Sequence, residues 1–283
     1  MSKMVIHKFS RALFGSLLLL LMSFVIYFVR YPVWGWTIEP VFAVLILSYA
    51  VVLVAALALL KKDLKKSLSQ VFRFHGFRLV FVGLGFALLF QVVWFGLIVG
   101  LGSRLDVMGF PLLRGYESYV YGSLPVAFAM YIGFAVFGAF AEEVAYRGYV
   151  QTQVSLNYGA AAGVVTSAVF FSLQHIHVFQ LPWMVNFFQG QFINVMVGGL
   201  FSGYLFFKCR GDIWTVFAFH AVGNLFSVVL PVQVTYVYPW AYAVATVTSY
   251  VVLFGVTRFA VVHSLTDSIK NLKGQILVGR GGT

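Results

Sequence analysis

Glu142 and Glu143 stand side by side at the end of a run, Pro125 to Ala141, that holds no charged residue, and Arg147 follows four positions after Glu143. A carboxylate in hydrocarbon is costly unless it is paired or faces a polar cavity, so ionisable residues in such a run are candidates for function. Glu143 and Arg147 form an i, i+4 pair on one helix face with the acid N-terminal to the base, which is the favourable order. Glu142 lies about 100° around the helix and cannot use that arginine as easily. Two further polar stretches interrupt apolar sequence. One is Phe171-Ser172-Leu173-Gln174-His175, followed by His177. The other is His220-Ala221-Val222-Gly223-Asn224, whose His and Asn lie one turn apart on a single face. Amides between Asn186 and Asn194, Gln189 and Gln191 among them, read as helix entry and packing polarity.

These groups have a joint chemistry. A buried glutamate can act as general base near neutral pH. A neighbouring histidine can share the proton and orient a water. A second histidine and an asparagine amide, one turn apart, can donate hydrogen bonds to a developing oxyanion. The inventory suits hydrolysis of an amide by an activated water, with no serine or cysteine nucleophile required. A structural reading stands beside it, in which Arg147 and loop groups tie up both glutamates and each histidine satisfies a helix end or an interhelical contact.

The elements that must position these residues are membrane helices. The chain is 61% hydrophobic and 10% charged, with mean hydropathy +0.93, which excludes an ordinary soluble domain. Eight stretches approach or exceed the ~20 apolar residues that cross a ~30 Å hydrocarbon layer: 13–29, 41–60, 79–101, 125–147, 160–175, 187–207, 213–230 and 240–256. The expected fold is an all-α integral membrane bundle of about eight transmembrane helices. It forms a single domain over 1–283, with motif-bearing helices in 120–230 and a cytoplasmic tail at 263–283.

With the N-terminus in the cytoplasm, 16 of the 19 Lys and Arg fall on inner segments, and only Arg30, Arg104 and Arg114 fall outside. Both termini are therefore expected in the cytoplasm, in a multi-pass cell-membrane protein. The net charge of +11 is then a topology feature that attracts anionic lipid, and nucleic acid is not an expected partner. A basic start and an apolar run without a small-residue cleavage site read as an uncleaved first helix. Trp34, Trp36, Trp183, Trp214 and Trp240 fall near expected interfaces. The stretch from Lys61 to Arg78 reads as an amphipathic connector lying on the membrane. Gly199 and Gly203, four apart, read as the seat of one helix against its neighbour. The single cysteine, Cys209, reads as a bystander thiol.

If the turn between the fourth and fifth spans lies at Tyr158–Gly159, Glu142 and His175 are each 16 residues from it and level in an antiparallel hairpin. Together with His220, about 10 Å along its span, this puts the site in the inner half of the bilayer. Yet His175 precedes Pro182 by only seven residues. Either the fifth span stops short and 176–183 dips into the protein, or the turn lies elsewhere.

The motifs Glu142-Glu143-Val144-Ala145-Tyr146-Arg147, Phe171 to His175 and His220 to Asn224, in that order, resemble those of the CPBP intramembrane endopeptidases. That family includes the eukaryotic Ras-converting CAAX endopeptidase and bacterial proteins linked to bacteriocin processing and self-immunity. The resemblance covers roughly 142–224; the other helices are similar only in number and hydrophobicity. It implies a glutamate-dependent peptidase in which Glu142 activates water, assisted by His175. It likewise implies that His220 and Asn224 form the oxyanion-stabilising pair, with Glu143, Arg147 and Phe171 in support. The implied partners are membrane lipid and a peptide or protein substrate, a lipidated one included. No cofactor is required. A divalent metal such as zinc is the alternative, with Glu142, His175 and His220 as its three ligands. Two further readings remain: a catalytically silent immunity or scaffold protein of the same fold, and a transporter whose buried carboxylates relay protons. The zinc motif of site-2 proteases and the serine motif of rhomboids are missing from the sequence, and Gly211-Asp212 falls short of the presenilin pattern.

Overall fold

A computed structural model describes residues 14–22, 38–101, 124–176, 192–229 and 239–260. Its helices are α1 (14–22), α2 (Ile38–Leu64), α3 (Leu68–Val71), α4 (Phe77–Gly100), α5 (Leu124–Glu143), α6 (Thr152–Tyr158), α7 (Ala160–Leu173), α8 (Phe192–Lys208), α9 (Ile213–Val229) and α10 (Pro239–Ala260). A π-helical segment, Val144–Gln151, joins α5 to α6, so one helical run extends from Leu124 to Tyr158. No strand occurs among the described residues. Each of the eight expected stretches carries helix, and α4 and the part of α10 from Trp240 to Arg258 are long and apolar enough to cross a membrane. Trp34, Trp36, Trp183, Arg30, Arg104, Arg114, His177, Gln189, Gln191 and the 263–283 tail lie outside the described residues.

The surface is more apolar, and the apolar core richer in polar groups, than in a protein dissolved in water. Phe77, Phe81, Val92, Val54 and Val251 are exposed, while Glu142, Glu143, Arg147, Gln151, Thr152, Ser155, Ser167, Ser172, Gln174 and Thr215 are buried. Apolar side chains outside and polar ones inside, hydrogen-bonded here except for Ser155, is the arrangement a lipid solvent enforces, because hydrocarbon offers no partner for a polar group.

The turn between α6 and α7 falls at Gly159 (φ 92°), where a residue without Cβ adopts the left-handed region at no steric cost. The fifth span is corrected in length. α7 has 14 residues and ends at Leu173, about 21 Å of helix, so it stops short and His175 lies in the turn beyond it. The Lys61–Arg78 stretch is also revised. α2 continues through Lys61 and Lys62 to Leu64, and the segment after it is fastened to the bundle. Trp214 Nε1 donates to the Phe72 carbonyl at 3.2 Å, and Phe72 stacks on Phe140 at 5.6 Å. Cys209 is buried, and burial pushes its thiol up to about 12, which makes it a poor nucleophile.

α9 packs against α4 and α5, α8 against α7 and α10, and α2 against α5. Small residues set the closest approaches. A Cβ on Gly199 would stand 3.2 Å from Ala168 Cα, and one on Gly203 would stand 2.7 Å from Gln151 Oε1, so both glycines seat α8 within the bundle. Gly83 of α4 lies against the Thr215 carbonyl of α9, whereas Gly85, two residues on, has open space where its Cβ would be. Gly83→Ala should therefore force backbone apart and lower stability by roughly 1–3 kcal/mol. Gly85→Ala should be neutral or gain up to about 1 kcal/mol from helix propensity. Thermal unfolding of the two variants in one detergent checks this, and equal midpoints would contradict it.

Candidate active site

The expected Glu143–Arg147 pair is present and fully buried. Arg147 Nη1 donates to Glu143 Oε1 at 3.1 Å, and Nη2 donates to the Gly199 carbonyl of α8 at 3.2 Å. The guanidinium also lies 4.6 Å over the Phe171 ring of α7. Glu143 Oε1 accepts a second bond, from His220 Nδ1–H at 2.8 Å. One buried ion pair thus ties α5, the π segment, α7, α8 and α9 together. The π segment opens directly after Glu143, a position at which such bulges often mark functional sites.

Glu142, the neighbouring carboxylate, has different company. Its Oε1 accepts from Tyr49 OH at 3.2 Å and from Gln174 Nε2 at 3.1 Å, both uncharged donors. Its Oε2 faces His220 Nε2 at 3.6 Å, longer than a hydrogen bond. With Nδ1–H committed to Glu143, a neutral His220 presents a lone pair toward Glu142. Two lone pairs facing each other repel, so a shared proton or a bridging water settles the pair. The Glu142–Gln174 bond also fixes the hairpin: both residues are 16 positions from Tyr158, and they meet.

His175 sits differently from its expected place on a span. Its Nδ1–H donates to the Phe171 carbonyl at 2.7 Å, satisfying an acceptor that the end of α7 leaves without an intrahelical partner. Its ring stands 4.9 Å from that of Phe171, and the Phe171 ring is in turn 5.5 Å from His220. Phe171 is thus the wedge between the two histidines. Asn224, one turn from His220, donates to the Ala135 carbonyl of α5 at 3.3 Å. His220 and Asn224 therefore present the same face of α9 to α5.

The structure brings together Glu142, Glu143, Arg147, His220 and Phe171, with His175 and Asn224 at the margin. It adds two residues that sequence reasoning missed. Tyr49 comes from α2, in an apolar run whose spacing marks nothing. Gln174 lies inside a motif that the sequence singled out for its histidine. Asn194, read as packing polarity, accepts from Tyr250 OH at 3.4 Å. Among the described residues, no group of three or more His, Cys, Asp and Glu side chains is placed to hold a metal ion.

Residues 123–226 match the family model described as type II CAAX prenyl endopeptidase Rce1-like. The match supports the CPBP and CAAX protease family, whose members are membrane-embedded proteases, and it spans every motif residue from Glu142 to Asn224. Tyr49 lies outside it. No curated protein and no solved structure matches the chain.

Removing one member of a buried ion pair strands the other, at a cost of about 3–5 kcal/mol. Arg147→Met is accordingly expected to unfold or strongly destabilise the protein. Glu143→Gln introduced alongside it should recover part of the loss by removing the orphaned charge. Size-exclusion profiles and thermal midpoints of the single and double variants check this; a double variant no better than Arg147→Met would contradict it.

Proposed function

We propose that this chain is a glutamate-dependent intramembrane endopeptidase, with both termini cytoplasmic, that cleaves a peptide bond near the cytoplasmic side of the membrane. The substrate class we assign is a prenylated CAAX-type peptide, as the description of the matched family suggests. The observation that carries this reading is the division of labour between the adjacent carboxylates. Glu143 holds the arginine, while Glu142 is held through one oxygen by neutral donors and keeps the other toward a histidine.

In the proposed reaction, Glu142 Oε2 takes a proton from water as the water oxygen bonds to the scissile carbonyl carbon. The carbonyl oxygen becomes an oxyanion, to which His220 Nε2–H and Asn224 Nδ2–H donate. For this, His220 carries hydrogen on both ring nitrogens, with Nδ1–H on Glu143. As the C–N bond breaks, Glu142 returns its proton to the leaving amine. With Nδ1–H on the Phe171 carbonyl, the Nε2 of a neutral His175 is an acceptor that can orient the water. Tyr49 and Gln174 hold Oε1 so that Oε2 is the reacting atom.

The test is hydrolysis of a fluorogenic prenylated CAAX peptide by purified protein in lipid nanodiscs. Glu142→Gln is expected to reduce turnover by about 10²–10⁴-fold, the range for loss of a general base, with the thermal midpoint retained. Tyr49→Phe, which removes one hydrogen bond, is expected to cost up to about tenfold in kcat. Undiminished turnover in Glu142→Gln would end the water-activation role. Biological activity that survives Glu142→Gln and His220→Ala would favour the silent scaffold. Stoichiometric zinc lost together with activity on chelation would add a metal to the mechanism.

A further inference from the structure

A basic cleft opens between the ends of α2, α3 and α8, lined by Lys66, Gln70, Arg73, His75 and Arg210, with Gly148 of the π segment in its wall. The segments 61–78 and 208–213 around it hold eight Lys and Arg against two carboxylates, Asp63 and Asp212. Both carboxylates are already engaged. Asp63 accepts from Tyr149 OH at 2.6 Å. Asp212 accepts from His75 Nδ1–H at 3.0 Å and from the backbone N–H and hydroxyl of Thr215 at 2.8 and 2.7 Å. Among the described residues, no acidic side chain lines the cleft.

Capping of the helix ends does not account for this charge. α8 is closed by backbone alone: Arg210 N donates to the Phe207 carbonyl at 3.1 Å and Gly211 N to the Phe206 carbonyl at 2.8 Å. Arg210 occupies the left-handed position of that motif (φ 61°), where glycine fits without steric cost. A basic residue there places a guanidinium at the cleft. Lys65, at the end of α2, is left-handed as well (φ 56°). Lys66 is partly buried, and burial alone holds its ammonium down to about 8; an anion beside it would oppose that effect.

We propose that this cleft is a binding site for a phosphate anion, supplied by the headgroup of an anionic phospholipid in the adjoining leaflet. Basic pockets between membrane helices recognise such headgroups, and the planar guanidinium forks of Arg73 and Arg210 suit phosphate oxygens. Gly148 directly follows Arg147, so the occupant abuts the segment that carries the buried ion pair. The site is independent of the peptidase reading.

The test uses full-length protein in neutral detergent, titrated with phosphatidylglycerol, phosphatidylcholine or inorganic phosphate, with the thermal midpoint as readout. The pocket variant is Arg73→Gln with Arg210→Asn, since asparagine tolerates the left-handed backbone. The control, Lys61→Gln with Lys62→Gln, removes the same charge from exposed residues that do not line the cleft. Phosphatidylglycerol is expected to raise the midpoint in the wild type and the control. Affinity in the pocket variant should fall about 30-fold, from roughly fivefold per basic residue. Equal losses in the two variants, or no response to phosphatidylglycerol over phosphatidylcholine, would overturn the site. Stabilisation by inorganic phosphate equal to that by phosphatidylglycerol would keep the anion site and overturn the lipid as its source.

Discussion

Arg147 and Glu143 are 1% and 0% exposed, and ions at that depth have no water to return to. Their attraction compensates for lost hydration only if the geometry is good and the remaining donors and acceptors find partners. The surrounding helices meet most of that condition, with Glu143 Oε2 and Arg147 Nε left without a hydrogen bond among the described residues. Arg147 reaches a carbonyl of α8 and lies over a ring of α7, and Glu143 takes a proton donor from α9. Moving any one of these helices away would open the cluster, so the ion pair dictates where they sit.

The same constraint frees Glu142. Two adjacent carboxylates cannot both use one arginine, because consecutive residues on a helix point about 100° apart. Glu143 takes the cation, and Glu142 is left to a tyrosine and an amide. A carboxylate held by neutral donors keeps its capacity to accept a proton, whereas one committed to an arginine gives it up only by breaking the pair. The proposed reaction therefore assigns proton transfer to Glu142, while Glu143 holds the arginine.

Much of this was legible from spacing. The i, i+4 relation of Glu143 and Arg147, the i, i+4 relation of His220 and Asn224 and the glycine turn after Tyr158 each rest on local geometry, and the helix supplies that geometry. The partners of Glu142 were not legible for the converse reason. Tyr49 is 93 positions away, and nothing local distinguishes it from any interfacial tyrosine. Gln174 was overlooked because a histidine beside it drew the chemical interest. The place of His175 depended on where α7 ends, and no glycine or proline announces that end: Pro182 comes later. The helix stops where the His175 side chain takes the Phe171 carbonyl in place of a backbone donor.

The π segment and the paired glycines of α8 are best understood as one device. Arg147 donates to the Gly199 carbonyl, and Gln151, four residues on, donates to the Gly203 carbonyl at 2.8 Å. Two polar side chains at one spacing thus meet two backbone oxygens at the same spacing. Side chains at 199 and 203 would cover the approach, and a Cβ at 203 would strike Gln151 itself. The glycines do more than let two helix backbones approach: they expose carbonyls to donors from a neighbouring helix. The i→i+5 ladder of the π segment widens the helix just where those donors leave it. Thr152 then closes the segment by donating to the Arg147 carbonyl at 3.1 Å. In a medium that satisfies no polar group, a helix can carry a buried arginine and glutamine only when a partner helix offers backbone oxygens in register, and small residues on α8 meet that requirement.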